Sequence, residues 1–189
     1  MSTHTSGDLT GAQSARVATT RSVTLGDLAL ASRRLGVESL PRIELKSQDF
    51  RDAELLPTRS TEDGDGSPPP LAWDPGTSTP SAYVIVCEDP DAPRATPFVH
   101  WLVYGIGRET RSLDSNLGDF REGLNDHGQR GFAPAAPPAG HGRHRYYFQI
   151  FALDRELTLP AGADYDRLLS AMKGHVIAWG QLVGLYERP

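Results

Sequence analysis

From residue 81 to residue 88 the chain reads SAYVIVCE, and every interior position is apolar. In an extended chain Tyr83, Ile85 and Cys87 share one face, and Ala82, Val84 and Val86 share the other. A strand apolar on both faces predicts burial on both sides, as in the interior of a sandwich. Residues 99–106 (VHWLVYGI) repeat the pattern, with His100, Leu102, Tyr104 and Ile106 on one side and Val99, Trp101 and Val103 on the other. Residues 145–153 (RYYFQIFAL) predict a third strand, whose parity gives His144, Tyr146, Phe148 and Ile150 a common face. Helical periodicity is clearest in residues 164–173, where Tyr165, Leu168, Leu169 and Met172 form one stripe that Gly174 ends. Residues 175–186 (HVIAWGQLVGLY), β-branched and glycine-spaced, predict a last strand. Ile43, Leu45 and Phe50 predict an extended segment where the packed domain, residues 42–189, begins.

Between these elements lies punctuation. Residues 57–80 hold six prolines and three glycines, which predicts a long loop without helix, packed down by Leu71 and Trp73. A second long loop spans residues 107–142. Residues 1–24 contain ten Ser or Thr and three bulky aliphatics, the composition of a disordered tail. In residues 25–41, Leu25, Leu28 and Leu35, with Asp27 early and Arg33 and Arg34 late before Gly36, predict a short helical extension. That extension is expected to cover the domain or to pair two copies as a homodimer. Strands predominate without βα alternation. The predicted fold is mostly β: an antiparallel, Greek-key-like β-sandwich with one or two peripheral helices.

Composition sharpens this picture. Among 189 residues there are 19 Gly and 15 Pro, and 38% are apolar, which fits a turn-rich β protein. A formal charge of −5 gives no general attraction to nucleic acid or anionic lipid. The longest apolar runs, such as residues 82–87, fall far short of the roughly 20 residues that span a bilayer, and no apolar secretory segment opens the chain. The expected location is the cytoplasm. The one cysteine, Cys87, lies in an apolar run, so a buried, inert thiol is expected, with no internal disulfide and no multi-thiolate metal cluster. No metal or cofactor is expected.

Polar groups collect at strand ends in four places: residues 89–93 (DPDAP), 97–101, 131–138 and 142–146. An imidazole held by a carboxylate has a defined tautomer and gains positive character. Asp89 beside His100 or His144 would let a ring N–H face a phosphate oxygen, and the Tyr146 hydroxyl adds a donor. An anion site needs no lysine on these terms. His127 and His141, in glycine-rich loops, read as solvated, and His175 as a helix-end charge. Parity turns Arg145 away from His144, toward a structural link.

Several blocks carry a family resemblance in their order and spacing. They are Ser67-Pro68 with Leu71 and Trp73, DPDAP, His100-Trp101, GLNDHG at 123–128, Pro137-Pro138, GRHRYYF at 142–148, FALD at 151–154 and the GH…LVGLYER ending. From about residue 43 to 188 the chain resembles the phosphatidylethanolamine-binding protein family, also called Raf-kinase-inhibitor-like proteins, most closely its short bacterial branch. The resemblance implies a β-sandwich with a small anion pocket at one end. It places Asp89, His100, His144 and Tyr146 in that pocket, with Pro90, Asp91, Phe98 and Pro138 around them. It further implies a phosphate-bearing ligand, a phospholipid headgroup or a phosphorylated partner, bound without turnover. One alternative is inhibition of a protein kinase or protease through the long loops. Another is a phosphoester-processing enzyme using the His/Asp pocket, against which no Gly-x-Ser-x-Gly or His-Glu-x-x-His occurs. The chain departs from the family at Thr58-Arg59-Ser60 and at Ala135-Ala136.

Overall fold

In the computed structural model β4 (Ala82–Asp89) is buried at all eight positions, as a run apolar on both faces requires. The structure describes residues 23–114 and 119–189, so the tail expected over residues 1–24 lies outside the described residues except for Val23 and Thr24. Antiparallel partners flank β4: β5 (Phe98–Gly107) on one side and β8 (His144–Leu153) on the other. β9 (Val176–Tyr186) continues along β8. Two-residue strands close the edges, β2 (Glu54–Leu55) running parallel to β9 and β7 (Arg121–Glu122) antiparallel to β5. The order is β2-β9-β8-β4-β5-β7, so the long connection from β5 to β8 passes over β4, a Greek-key-like crossing.

A second sheet joins β1 (Glu44–Ser47), β3 (Leu71–Asp74) and β6 (Ser112–Leu113) in the order β1-β3-β6. The stretch expected to be loop therefore contains a strand, and also a short 3-10 turn at Thr58–Ser60. Leu71 and Trp73 do pack it down, but by alternating with Ala72 and Asp74 on a pleat. Between the two sheets lie Leu45, Trp73, Tyr83, Ile85, Cys87, Val103, Phe148 and Ile150. Val84, Val86, Leu102 and Phe151 pack the other face of the large sheet against α3 (Tyr165–Met172), through Leu168, Leu169 and Met172. Asp164 caps α3 by accepting the Arg167 N–H at 2.8 Å. Burial of Cys87 pushes its thiol well above the ordinary range, which suits an inert core residue.

Alternation fails in β5 at two points. Ile106 joins Trp101 and Val103 between the sheets, not Leu102 and Tyr104, because the pairing with β4 shifts around Gly105, whose φ is +70°. Pairing shifts again between Cys87↔Trp101 and Glu88↔Val99, which leaves His100 without an opposite residue. That bulge aims the imidazole.

The extension folds as α1 (Leu25–Leu28), capped by Thr24 in a reciprocal box with Asp27, and α2 (Ala31–Leu35), ended by Gly36 in the left-handed region. Among the described residues the α-helices are α1, α2 and α3, all peripheral to the sheets as the expected fold has them. Of the leucine stripe, Leu35 packs against the core while the α1 pair faces outward: Leu25 is 79% and Leu28 56% exposed. Small and polar residues face the sheet instead. The Ala31 N–H donates to Glu88 Oε2 at 2.9 Å, the Ser32 N–H donates to Gln149 Oε1 at 3.0 Å, and Asp27 lies 2.8 Å from Arg145. Gly26 rests on the Pro90 carbonyl, where an added Cβ would stand 2.2 Å from the oxygen, so a side chain has no room.

Candidate functional site

Where β4 ends and β5 and β8 begin, their polar side chains surround a cavity of about 170 Å³. Asp89, the last residue of β4, accepts the His144 Nδ1–H through Oδ2 at 2.7 Å, both groups being buried. Its Oδ1 accepts the Asp91 N–H at 2.8 Å, which closes the DPDAP turn. A carboxylate only accepts, so the hydrogen sits on His144 Nδ1 and leaves Nε2 as a lone pair. The Nδ1–H of His141 fills that lone pair at 2.8 Å.

Tyr146 lies two residues along β8 from His144 and is 1% exposed; its hydroxyl has no hydrogen-bond partner among the described residues. Burial pushes its ionisation well above the usual tyrosine range, so it stays a neutral donor. His100, on the bulge, donates Nδ1–H to the Ala133 carbonyl at 2.7 Å. Its ring sits between Phe98 at 4.7 Å and Tyr146 at 5.1 Å. Burial holds its pKa down to about 4, opposed by the Ala133 hydrogen bond and by Asp89. Pro134, Pro137 and Pro138 form one wall, and Ala92 and Pro93 contribute another. Two amides of this loop are engaged internally: the Ala133 N–H donates to His100 O, and the Ala135 N–H to Ser60 O.

Asp89, Phe98, His100, Pro138, His144 and Tyr146 thus line one cavity, as the resemblance implies. Asp91 and Pro90 do not. Asp91 turns to the opposite face of β8, where its Oδ2 accepts from Arg145 Nε at 2.7 Å and Oδ1 from Nη2 at 2.8 Å. The parity that separates Arg145 from His144 carries Asp91 with it. Pro90 is buried beneath α1, against Gly26. Two histidines read as solvated are indeed exposed, and both also touch groups of the cavity: His141 lies 2.8 Å from His144, and His127 packs edge-on to Phe98 at 5.0 Å and lines the cavity. The available signal for His141 was its place three residues before His144 between Gly140 and Gly142, whose φ angles of 71° and 82° turn the loop back. A larger hollow of about 550 Å³ beside α3 is occupied by mutually satisfied charges, Arg34 with Asp166 at 2.8 Å and Arg94 with Asp126 at 2.7 Å. No group of three or more His, Cys, Asp or Glu among the described residues is placed to hold a metal ion.

Fold and cavity together define a class: a two-sheet β domain with a small pocket of mixed polar and apolar lining at one end of its larger sheet. The family model for phosphatidylethanolamine-binding protein matches residues 46–187. A UPF0098 protein of Methanothermobacter thermautotrophicus is 37% identical over 153 residues, covering 77% of this chain and 99% of the relative. One from Aquifex aeolicus is 38% identical over 156 residues, covering 77% and 89%. Among solved structures, a phosphatidylethanolamine-binding protein homologue of Chlamydia trachomatis superposes with TM-score 0.72 at 33% identity, covering 78% of this chain and 99% of that one. YbcL of Escherichia coli gives TM-score 0.71 at 25% identity with the same coverage. The chain belongs to the phosphatidylethanolamine-binding protein family. Its α1 and α2 precede the matched region. No helix among the described residues is long and apolar enough to cross a membrane.

Proposed function

We propose that this chain is a binding protein whose pocket holds a phosphate-bearing group without turning it over. The observation that carries the reading is the Tyr146 hydroxyl, buried and unpartnered in a cavity lined by imidazoles. An O–H buried without an acceptor costs about 1–3 kcal/mol, and a ligand oxygen removes that cost. The His141–His144–Asp89 chain fixes the orientation of the His144 ring, and the proline wall keeps the shape fixed before a ligand arrives. At about 170 Å³ the cavity is smaller than a typical site for a drug-sized molecule, so it accommodates a headgroup and leaves the remainder outside.

Calorimetric titration with inorganic phosphate and phosphoethanolamine tests this. Tyr146→Phe should weaken binding about tenfold while leaving stability unchanged or raised by up to about 1 kcal/mol, because the deleted hydroxyl has no protein partner. His144→Ala should also lose binding but at a cost in stability, since it strands the buried Asp89 carboxylate. Unaltered phosphate binding in both variants would sink the reading.

A further inference from the structure

The two central imidazoles of the pocket share a tautomer that is unexpected for a site built only of anion donors. His100 Nδ1 lies 2.7 Å from the Ala133 carbonyl, and His144 Nδ1 lies 2.7 Å from Asp89. Neither acceptor carries a hydrogen, so both rings hold theirs on Nδ1 and present a lone pair at Nε2. The His144 lone pair is filled by His141. At His100 no donor among the described residues reaches Nε2, which remains for whatever enters the cavity.

His100 does not readily become a donor. Facing it are Asp89 of β4, His144 and Tyr146 of β8, and Asp126 and His127 of the loop after β7. Those carboxylates favour an imidazolium, but desolvation outweighs them and the ring stays neutral near pH 7. The cavity wall contains one carboxylate, Asp89, and neither lysine nor arginine. A fully ionised phosphate would set lone pair against lone pair at Nε2 and bring two further negative charges beside Asp89.

We infer, on the reading above, that the pocket takes a phosphate monoester in its hydrogen-bearing monoanionic form, the ligand P–O–H donating to His100 Nε2 while an ionised oxygen accepts from the Tyr146 O–H. Free and terminal phosphates can supply that hydrogen. A phosphodiester, as in an intact phospholipid headgroup, and a sulfate ester cannot. A site built to hydrogen-bond one group rejects the analogue that lacks it far more strongly than size alone would.

The test is calorimetry on the full chain with methyl phosphate, methyl sulfate and glycerophosphoethanolamine between pH 5.5 and 8. Methyl sulfate has nearly the same shape and one negative charge but no hydrogen to give, so it also reports any titration of the protein itself. Methyl phosphate should bind at least tenfold more tightly than methyl sulfate or the diester at pH 6. That advantage should fall about tenfold per pH unit above the ester's second ionisation, near pH 6 for phosphate monoesters. In His100→Gln, whose amide can present either a donor or an acceptor, methyl sulfate should come within threefold of methyl phosphate. Equal affinities in the unsubstituted protein, or methyl phosphate binding that strengthens with pH, overturns the inference and leaves a phosphate pocket without proton selection. Failure of all three to bind overturns the pocket reading as well.

Discussion

Arg145→Met should lower the unfolding midpoint by about 10 °C, the largest loss of stability expected from any single change outside the apolar core. The guanidinium is held by Asp91 through Nε and Nη2, by Asp27 through Nη1 at 2.8 Å and by the Tyr147 hydroxyl at 3.0 Å. All of these groups are largely shielded from water, and the Arg145 side chain is 14% exposed. Methionine keeps much of the stem's packing but leaves two carboxylates facing each other without a cation. Removing one partner of a buried pair costs roughly 3–5 kcal/mol, and the residual exposure argues for the lower end. At about 2–4 °C per kcal/mol for a chain of this size, 3 kcal/mol gives the stated shift. Thermal denaturation followed by circular dichroism measures it, and a shift under about 3 °C would mean the network contributes little. Asp27→Asn should cost far less, because Asp91 still satisfies the arginine.

The second large effect concerns Glu88, adjacent to Asp89 on β4 but turned to the helical side. Burial raises its pKa to about 7, although Tyr165, the Ala31 N–H and Gln149 all donate to it. A carboxyl that binds its proton more tightly folded than unfolded stabilises the fold below its ordinary pKa, and the contribution is lost as pH rises through the folded value. For Glu88 the window runs from about pH 4.5 to 7, and the amplitude is of order 3 kcal/mol. His100 has the opposite sign. Its folded pKa of about 4 lies below 6.5, so its neutral form gains stability as pH rises across that interval. The two slopes partly cancel in the unsubstituted protein. Glu88→Gln, which retains an oxygen for the Ala31 and Gln149 donors and an amide for Tyr165, should unmask a stability that rises from pH 4 to 6.5. Urea denaturation at intervals of half a pH unit should show the difference between the two proteins growing through that window. Parallel curves would show that Glu88 does not titrate with folding.

The four long strands and α3 were legible from their apolar runs or helical spacing, although the alternation of β5 breaks at two points. Residues 82–87 are all apolar, residues 144–148 alternate before a wholly buried end, and Asp164 caps a helical stripe. What escaped was set by pairing between distant segments. Leu25 and Leu28 form a convincing stripe yet face outward, because α1 and α2 dock through Gly26, Asp27, Ala31 and Ser32 onto Pro90, Arg145, Glu88 and Gln149. Nothing in residues 25–41 alone announces partners more than 50 positions away. In the site, parity grouped His144 with Tyr146 and set Arg145 apart. Parity also failed to foresee that Asp91 would follow Arg145, or that a bulge would turn His100 toward Tyr146. The resemblance supplied His100 where periodicity placed it on the wrong side.

The unpaired His100 makes residues 98–101 a place where chain length is itself information. A deletion of one codon here would let β5 match β4 step for step and rotate the imidazole toward the helical layer. The outcome would be a gene product with an almost unaltered core and no His100 imidazole in its pocket. Insertions and deletions are ordinarily absorbed by exposed loops, which this chain has in abundance. Among natural variants, a gap of one residue in this stretch would therefore mark a lineage that has kept the scaffold and moved the imidazole out of the cavity.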